Sequence, residues 1–261
     1  MGGTSGQSSP VEVVELGSGQ PAVFVHGDVF DAELTWSAQK PLAEHHLLRL
    51  VNRRGFGGSA DVEAEDFDVD AGDVADVLGD GAHLVGHSYG AVVAMLAAAR
   101  RPHAVWSLAV VEPPAFGLTR GDPGTERFIR QIQDLISADP TPDEFLPRFV
   151  AAVGSDPARL PRPLPPPLAK AASVQLRGRW PWDAVIPLDV LSRADFPKLV
   201  VSGGHSAMFD AVCDVLTERL PATRVVLPGA GHRVPQTAEP FNRALAELWA
   251  RAERDRRAST R

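Results

Sequence analysis

AHLVGHSYGAVVAMLAAA, residues 82–99, joins a short apolar run to a longer alanine-rich stretch through a serine that stands between glycines. The first part is typical of a buried strand and the second of a helix. Residues 86–90, GHSYG, fit G-x-S-x-G, a pattern in which a tight strand-to-helix turn exposes the serine hydroxyl. Glycines allow close backbone approach, and the N–H groups that open the helix can stabilise a developing negative charge. The stretch therefore predicts that Ser88 is a nucleophile.

The same alternation of short apolar runs and longer amphipathic stretches continues along most of the chain. Seven runs are predicted to be strands, namely VEVVEL, PAVFVHG, LLRLVN, AHLVGH, VWSLAVV, KLVVSG and TRVVLPG. Helical spacing follows in residues 66–79, 88–101, 207–220 and 237–253. Because most of the runs are apolar without interruption, we predict an α/β fold whose mostly parallel sheet carries helices on both faces.

The alternation stops in the middle of the chain. This stretch combines the helix-like TERFIRQIQDLIS and PDEFLPRFVAAV with the proline-dense DPARLPRPLPPPLAK, and it is too long for a plain loop. We predict that residues 113–196 form a helical cap over a core made of residues 11–112 and 197–261. Residues 1–10, rich in glycine and serine, are predicted to be disordered.

Composition limits the classes of partner. The formal net charge of −7 makes nucleic acid and anionic membranes unfavourable as main partners. Cys213 is the one cysteine, which excludes an intramolecular disulfide. No run approaches the ~18 apolar residues of a membrane span, and residues 1–10 lack the pattern of a signal peptide. We therefore expect a cytoplasmic protein that acts on a small molecule.

VFVHGDVFDAELTW, residues 23–36, is a second motif, in which a strand ends in His-Gly and a loop follows. Such a loop places a backbone N–H near the serine, so Asp28 and Tyr89 are predicted to bind an oxyanion through their backbone N–H groups. A carboxylate beside an oxyanion would oppose catalysis, so the Asp28 side chain is expected to turn toward solvent or a loop N–H. His26 is a possible base, but a position packed behind the loop is favoured.

LPGAGHRVPQTAEPFN, residues 227–242, places His232 after a strand and a glycine turn, on a loop free to reach Ser88. A histidine in this position can take the proton of the serine hydroxyl and return it to the leaving group. We therefore predict that His232 is the general base.

Four motifs in this order resemble the α/β-hydrolase superfamily: VHGD, NRRGFGGS, GHSYGA and GAGH. The resemblance covers the chain from about residue 11 and implies a serine hydrolase that needs no cofactor. It also implies a nucleophile, acid, histidine order and a helical cap inserted after the sixth strand of the family, a place that residues 113–196 occupy. Arg53 and Arg54, in the second motif, are expected to anchor loops.

The position of the catalytic acid departs from the family pattern. Most members carry an Asp just after the strand that KLVVSG represents, whereas residues 203–206 here are GGHS. Three interpretations remain. The catalytic acid could be Asp210, about one helical turn later, or Glu112, after the preceding strand, or the protein could lack such an acid. Glu112 is favoured, because a glutamate at the end of a buried strand is costly unless it is paired and His232 is a natural partner. Its context, VVEPP, resembles certain lactonases and dehalogenases that place the acid there.

Two further residues are candidates for substrate contact or support. His205 could bind substrate or buttress Glu112, although a structural role on the loop backbone is favoured. Trp182 belongs to a set of cap aromatics that could line an apolar pocket or pack the cap on the core: Phe116, Phe128, Phe145, Phe149, Trp180 and Trp182. The aspartates within residues 66–76 lack the spacing of a calcium loop and suit a helix start, so no metal site is predicted.

Together these features predict a serine hydrolase that cleaves a carboxylic ester or lactone through an acyl-enzyme, with Ser88, His232 and Glu112 as its triad. A bulky, fairly apolar substrate is expected from the cap aromatics. Two alternatives remain: a cofactor-independent lyase or perhydrolase on the same scaffold, and a ligand receptor with residual hydrolysis.

Overall fold

The structure, a computed structural model, describes residues 9–259. The predicted disorder of residues 1–10 therefore falls almost entirely on residues 1–8, which lie outside the described residues.

Seven strands form one sheet in the order β1-β3-β2-β4-β5-β6-β7. They are β1 (Glu12–Leu16), β2 (Gln20–Val25), β3 (His46–Asn52), β4 (Ala82–His87), β5 (Val105–Val111), β6 (Lys198–Ser202) and β7 (Ala222–Val226). Strands β1 and β3 pair antiparallel, and all other neighbours pair parallel. Each strand coincides with one of the seven predicted runs, so the predicted α/β class and mostly parallel sheet are confirmed.

Helices surround the sheet. They are α1 (Ala32–Thr35), α2 (Phe67–Val77), α3 (Tyr89–Arg100), α4 (Pro123–Ser137), α5 (Pro142–Ala152), α6 (Pro166–Arg177), α7 (Leu188–Arg193), α8 (Ala207–Arg219) and α9 (Glu239–Ser259). Short 3-10 helices cover Ser37–Glu44, Pro102–Ala104, Phe116–Thr119, Pro157–Arg159, Pro181–Asp183 and Val234–Thr237. Over residues 9–259, no helix combines the length and the apolar composition needed to cross a bilayer.

The two faces of the sheet pack into two separate cores. In β2, Val23 and Val25 belong to one apolar cluster, whereas Ala22 and Phe24 belong to the other. Helices α2, α3 and α8 contribute to the first cluster, and α9 contributes to the second together with Trp36. Burial on both faces explains why the strands read as uninterrupted apolar runs.

The segment between β5 and β6 contains α4 to α7. It follows the fifth strand of this chain, the place at which the resemblance noted above implies an inserted cap. Asp122 caps α4 by accepting the N–H groups of Gly124 and Thr125, and the apolar side of that helix is buried. Part of the proline-dense stretch is helical, since Pro166 is the first residue of α6. Proline is well suited to a first helical position, since its missing N–H needs no partner there.

The candidate residues meet at one edge of the sheet. Because β2 and β4 to β7 run parallel, their carboxyl ends lie on the same side. The loops and turns that follow these strands carry Asp28, Ser88, Glu112, His205 and His232, in chain order.

Candidate active site

Ser88 occupies a strained turn between β4 and α3. Its φ of 55° and ψ of −129° lie in a region that residues other than glycine rarely adopt. The flanking glycines make the turn possible, because a Cβ on Gly86 would overlap the backbone of Gly90, and one on Gly90 would overlap the Val25 carbonyl. The Ser88 N–H donates to the Val111 carbonyl at 2.9 Å, so the neighbouring strand holds the strained residue in place.

His232 connects Ser88 to Glu112. Its Nε2 lies 2.9 Å from the Ser88 Oγ, and its Nδ1 lies 3.0 Å from the Glu112 Oε2. Because a carboxylate can only accept, Nδ1 carries the proton and Nε2 accepts the serine hydroxyl. All three side chains are buried. The arrangement can move a proton from the hydroxyl to an imidazole that a carboxylate orients.

Glu112 is fully buried, and its carboxylate is well satisfied. Its φ is 51°, its N–H donates to the Val201 carbonyl at 2.9 Å, and its Oε1 accepts the Gly203 N–H at 2.6 Å. A buried carboxylate without such bonds would be strongly destabilising. A Cβ on Gly203 would overlap the Gly231 carbonyl. The first glycine after β6 therefore donates to the Glu112 carboxylate through its backbone and lets the His232 loop approach.

Asp210, the alternative acid, does not reach His232. Its Oδ1 lies 2.5 Å from the Ser202 Oγ and accepts from Nη2 of Arg224 at 3.0 Å. The first turn of α8 thus directs this carboxylate toward β6 and β7.

His205 lies between Glu112 and the segment that follows β5. Its Nε2 donates to the Val153 carbonyl at 3.1 Å, and its Nδ1 lies 3.6 Å from the Glu112 Oε2. This Nδ1 is buried and forms no hydrogen bond with the described residues. The Glu112 Oε2 atom therefore faces two imidazoles, those of His232 and His205.

The residues predicted to bind an oxyanion lie beside Ser88. A Cβ on Gly27 would stand 3.5 Å from the Ser88 Oγ, and Asp28 lines the same cavity as Ser88. Tyr89 is the first residue of α3, where a backbone N–H has no acceptor within the helix. The turn after β4 and the loop after β2 thus bring Tyr89 and Asp28 beside the serine.

The prediction for the Asp28 side chain is wrong, because it turns into the protein. Its Oδ1 accepts from Nη2 of Arg53 at 3.1 Å, and its Oδ2 accepts from Nε2 of Gln175 at 3.3 Å. Arg53 is 1% exposed and also pairs with Glu65 and Asp70. A buried guanidinium needs several acceptors, and it draws the carboxylate away from solvent. As predicted, Arg53 anchors loops, since it also donates to the Gly27 carbonyl at 3.0 Å.

This buried cluster holds more carboxylates than cations. Burial raises the pKa of Asp28 to about 7, with the Arg53 guanidinium opposing the shift and Asp70 adding to it. Burial raises the pKa values of Glu65 and Asp70 as well. Burial alone would lower the pKa of Arg53, but the three carboxylates around it raise that pKa and keep it cationic. The cluster therefore retains protons up to near neutral pH.

Two neutral histidines brace the loops around Ser88. Nδ1 of His26 donates to the Gly27 carbonyl at 2.7 Å, and its Nε2 accepts the Arg53 N–H at 3.1 Å. The structure thus places His26 behind the loop and not at the serine. Nε2 of His87 donates to the His232 carbonyl at 2.8 Å. Burial lowers the pKa of both imidazoles, that of His87 to about 3. No sequence motif assigned a role to His87, although its place beside Ser88 is a usable signal.

Two cavities meet at Ser88. The larger has a volume of about 220 Å³, and its walls include the loop after β2, the end of α5 and the His232 loop. The smaller has a volume of about 20 Å³. Trp182 lines it and stacks on Trp180, with ring centroids 4.8 Å apart. Arg159 and Arg233 line the larger cavity. Neither arginine could be singled out from the sequence, because the two stand far apart in the chain and no pattern indicates that they share a cavity.

Two clusters of the described residues bring possible metal ligands together. One is Glu112, His205 and His232, already described. The other is His46, His83 and Glu253, at the amino ends of β3 and β4 and thus at the edge of the sheet opposite Ser88. Of the aspartates within residues 66–76, Asp66 caps α2, and Asp68, Asp70 and Asp73 pair with arginines.

A family model and individual relatives match most of the chain. The model described as the alpha/beta hydrolase family matches residues 22–246. The chain belongs to the α/β hydrolase family. It is 30% identical over 241 residues to a pimeloyl-[acyl-carrier protein] methyl ester esterase of Aeromonas salmonicida, and the match covers 85% of this chain and 92% of that protein.

Two further proteins are similar to this chain. A 2-(acetamidomethylene)succinate hydrolase of Mesorhizobium japonicum is 26% identical to this α/β hydrolase over 245 residues, which cover 87% of each chain. The structure of a thermophilic esterase from Thermogutta terrifontis superposes with a TM-score of 0.70 and 21% identity, covering 93% of each chain. At that identity the superposition shows the fold alone.

Proposed function

We propose that this α/β hydrolase cleaves a carboxylic ester or lactone through an acyl-enzyme formed on Ser88. The observation that carries the proposal is the chain of hydrogen bonds from Ser88 through His232 to Glu112, with distances of 2.9 Å and 3.0 Å. The curated relatives support the reaction class, since one is named as a methyl ester esterase and another as a hydrolase.

In the proposed acylation step the Ser88 Oγ attacks the substrate carbonyl while Nε2 of His232 takes the hydroxyl proton. Glu112 keeps the imidazole oriented and balances the charge that forms on it. The backbone N–H groups of Asp28 and Tyr89 stabilise the oxyanion. His232 then returns the proton to the leaving alcohol, and the C–O bond of the ester breaks.

Deacylation repeats these roles with water as the nucleophile. His232 removes a proton from the water molecule, whose oxygen attacks the acyl carbonyl, and then returns the proton to the Ser88 Oγ as the acid product leaves. The buried Asp28 carboxyl does not oppose the oxyanion strongly, because its pKa is raised to about 7 and it faces Arg53.

The segment between β5 and β6 fits the role of a cap. Phe149, Val150 and Val153, from α5 and its C-terminal end, line the larger cavity at Ser88. We therefore extend the proposal to the domain organisation, with residues 11–112 and 197–261 as the core and residues 113–196 as a helical cap that shapes the substrate site.

Turnover of p-nitrophenyl esters by the Ser88→Ala variant tests the proposal. We expect kcat to fall by roughly 10³-fold or more, because the covalent route is lost. Ser155 lines the same cavity, so Ser155→Ala is a matched control that is expected to stay within a few-fold of wild type. Full activity of Ser88→Ala would refute the proposal. Hydrolysis in ¹⁸O-labelled water should place one labelled oxygen in the acid product, which a lyase reaction would not do.

A further inference from the structure

The smaller cavity beside Ser88 has room for only a small group. Its volume of about 20 Å³ compares with about 220 Å³ on the other side of the serine. A site of this size holds about one water molecule or methyl group. Aromatic rings that pack on one another form much of its wall, with Phe116 centred 5.1 Å from Phe128 and 5.2 Å from Phe209. Because such packing is dense, the cavity cannot widen without disturbing the core.

The chemistry of the smaller cavity is apolar. Apart from Asp28 and Ser88, every residue that lines it is a proline, a valine or an aromatic residue. Burial of apolar surface is favourable, whereas a polar group without a partner there would be costly. This side of Ser88 therefore suits a short alkyl group.

The larger cavity carries two arginines. Arg159 ends the short 3-10 helix Pro157–Arg159 and is exposed, and Arg233 follows His232 and is partly buried. Among residues 9–258, neither guanidinium forms a hydrogen bond or an ion pair. Arg54, by contrast, is held by both oxygens of the Asp73 carboxylate. The charges of Arg159 and Arg233 are thus available to a ligand.

The remaining ionisable groups of the larger cavity do not cancel these charges. Asp28 faces Arg53, and His87 is neutral because burial lowers its pKa to about 3. Asp156 also lines the cavity, and its carboxylate accepts the Ala158 N–H at 2.9 Å. Two arginines against this one exposed carboxylate leave one positive charge on the wall, in a protein of net charge −7.

We propose that the preferred substrate is an ester with a short alkyl group on one side of the scissile bond and a carboxylate at the far end of the other side. The short alkyl group enters the aromatic cavity, and the carboxylate binds Arg159 and Arg233. Guanidinium groups suit this role, because they pair with carboxylates through two parallel hydrogen bonds. The inference rests on the proposed function, and it adds a charged group to the apolar substrate that the cap aromatics suggest.

Two matched methyl esters test the charged end of the substrate. Monomethyl adipate and methyl hexanoate share chain length and ester group, and they differ in a terminal carboxylate or methyl. We expect wild type to favour monomethyl adipate in kcat/KM by roughly 10-fold at low salt, with the preference shrinking as salt screens the charges. Arg159→Gln and Arg233→Gln should each reduce that ratio about 3-fold. Arg162, exposed and outside both cavities, gives the control Arg162→Gln, with an unchanged ratio.

A second pair of esters tests the short alkyl group of the proposed substrate. Monobutyl adipate should be hydrolysed at least about 10-fold more slowly than monomethyl adipate, because butyl does not fit the smaller cavity. Trp182→Ala, which removes part of that wall, should narrow the difference. Equal rates for the two esters in wild type would overturn this half of the inference.

The outcomes separate the inference from the proposed function. If Ser88-dependent hydrolysis is observed but monomethyl adipate is not preferred, or if the preference survives both arginine substitutions, the inference fails and the proposed function stands. If no ester is hydrolysed, the proposed function fails. In that case calorimetric titration of the Ser88→Ala variant still tests whether Arg159 and Arg233 bind a carboxylate, since monomethyl adipate should bind more tightly than methyl hexanoate. Equal binding would overturn the inference.

Discussion

Ser88 and Glu112 both have a positive φ angle, which few residues other than glycine adopt. Their φ angles are 55° and 51°, and they follow the neighbouring parallel strands β4 and β5. The N–H of each donates across the sheet, to the carbonyls of Val111 and Val201 respectively. Such strain persists only where surrounding structure enforces it, and it concentrates at functional sites. Two strained residues at adjacent strand ends therefore point to the same edge of the sheet as the hydrogen bonds of His232.

Replacing the two competing acids tests which one orients His232. Glu112→Gln should lower kcat by roughly 10³- to 10⁴-fold, because an amide cannot hold the imidazole in the required tautomer or balance its charge. Asp210→Asn should keep most of the activity, since Asp210 bonds to Ser202 and Arg224. Steady-state rates with p-nitrophenyl acetate provide the measurement. An inactive Asp210→Asn variant beside an active Glu112→Gln variant would reverse the assignment.

His205 should act as a positioning residue. Its Nε2 donates to the Val153 carbonyl and its Nδ1 faces the same Glu112 oxygen that bonds His232, so His205→Ala should lower kcat about 10- to 100-fold through misplacement of the Glu112 carboxylate. KM and the melting temperature should change little, and His205→Gln, which retains a side-chain donor, should recover part of the rate. His45 is exposed and serves as the control through His45→Ala. A loss of melting temperature that parallels the loss of kcat would indicate a merely structural role.

At the scale of elements, the β4–α3 unit is fixed by close packing more than by helix propensity. Nearly every residue of α3 is buried, so the helix has no solvated face and fits between the sheet and its neighbours. Gly90 lets its first turn lie against the end of β2, where a side chain would overlap the carbonyls of Val25 and His26. The same approach brings Ser88 to the loop of Gly27 and Asp28.

Two glycine substitutions in helices distinguish the effect of close packing on stability from the effect of helix propensity. Gly90→Ala should destabilise the fold by about 3 kcal/mol or more, because the added methyl has no room. Gly72 lies within α2, and a Cβ there meets only the end of the Arg100 side chain at 3.4 Å. Gly72→Ala should therefore be neutral or stabilising by up to about 1 kcal/mol. Urea denaturation of both variants is the measurement, and equal stability of the two would contradict the packing argument.

At the scale of the whole molecule, Arg53 ties separate parts of the chain together. It pairs with Asp28 from the loop after β2 and with Glu65 and Asp70 around the start of α2. Asp28 in turn accepts from Gln175 of α6, within the segment proposed as the cap. The cluster thus joins the core, the loop beside Ser88 and the segment proposed as the cap.

Asp28 makes the stability of the folded state depend on pH. Its pKa is raised from 3.8 to about 7 on folding, so from about pH 4 to about pH 7 the folded state holds a proton that the unfolded state has lost. Stability therefore falls as pH rises through that range. Asp28→Asn should flatten this part of the melting-temperature profile, whereas Asp76→Asn, at an exposed site of α2, should follow wild type. Identical profiles for all three proteins would contradict the assignment.

Most of the fold could be predicted from the sequence, because strands buried on both faces leave uninterrupted apolar runs and the glycine-flanked serine marks the strand-to-helix turn. Glu112 could be singled out because an unpaired buried carboxylate is costly. The partner of the Asp28 side chain could not be predicted, since Arg53 stands 25 residues away with several other acids within reach. That Arg159 and Arg233 line one cavity could not be predicted either, because a cavity forms from segments whose proximity no local sequence pattern encodes.

The central claim is that Ser88 is an activated nucleophile, and covalent labelling tests it most directly. Wild-type protein would be treated with an alkyl fluorophosphonate and the modified residue located by peptide mass spectrometry. We predict a single phosphonyl adduct on Ser88, absent from Ser88→Ala and strongly slowed in His232→Ala, because the hydroxyl then has no base. An adduct on another residue, or no adduct on wild type, would contradict the account.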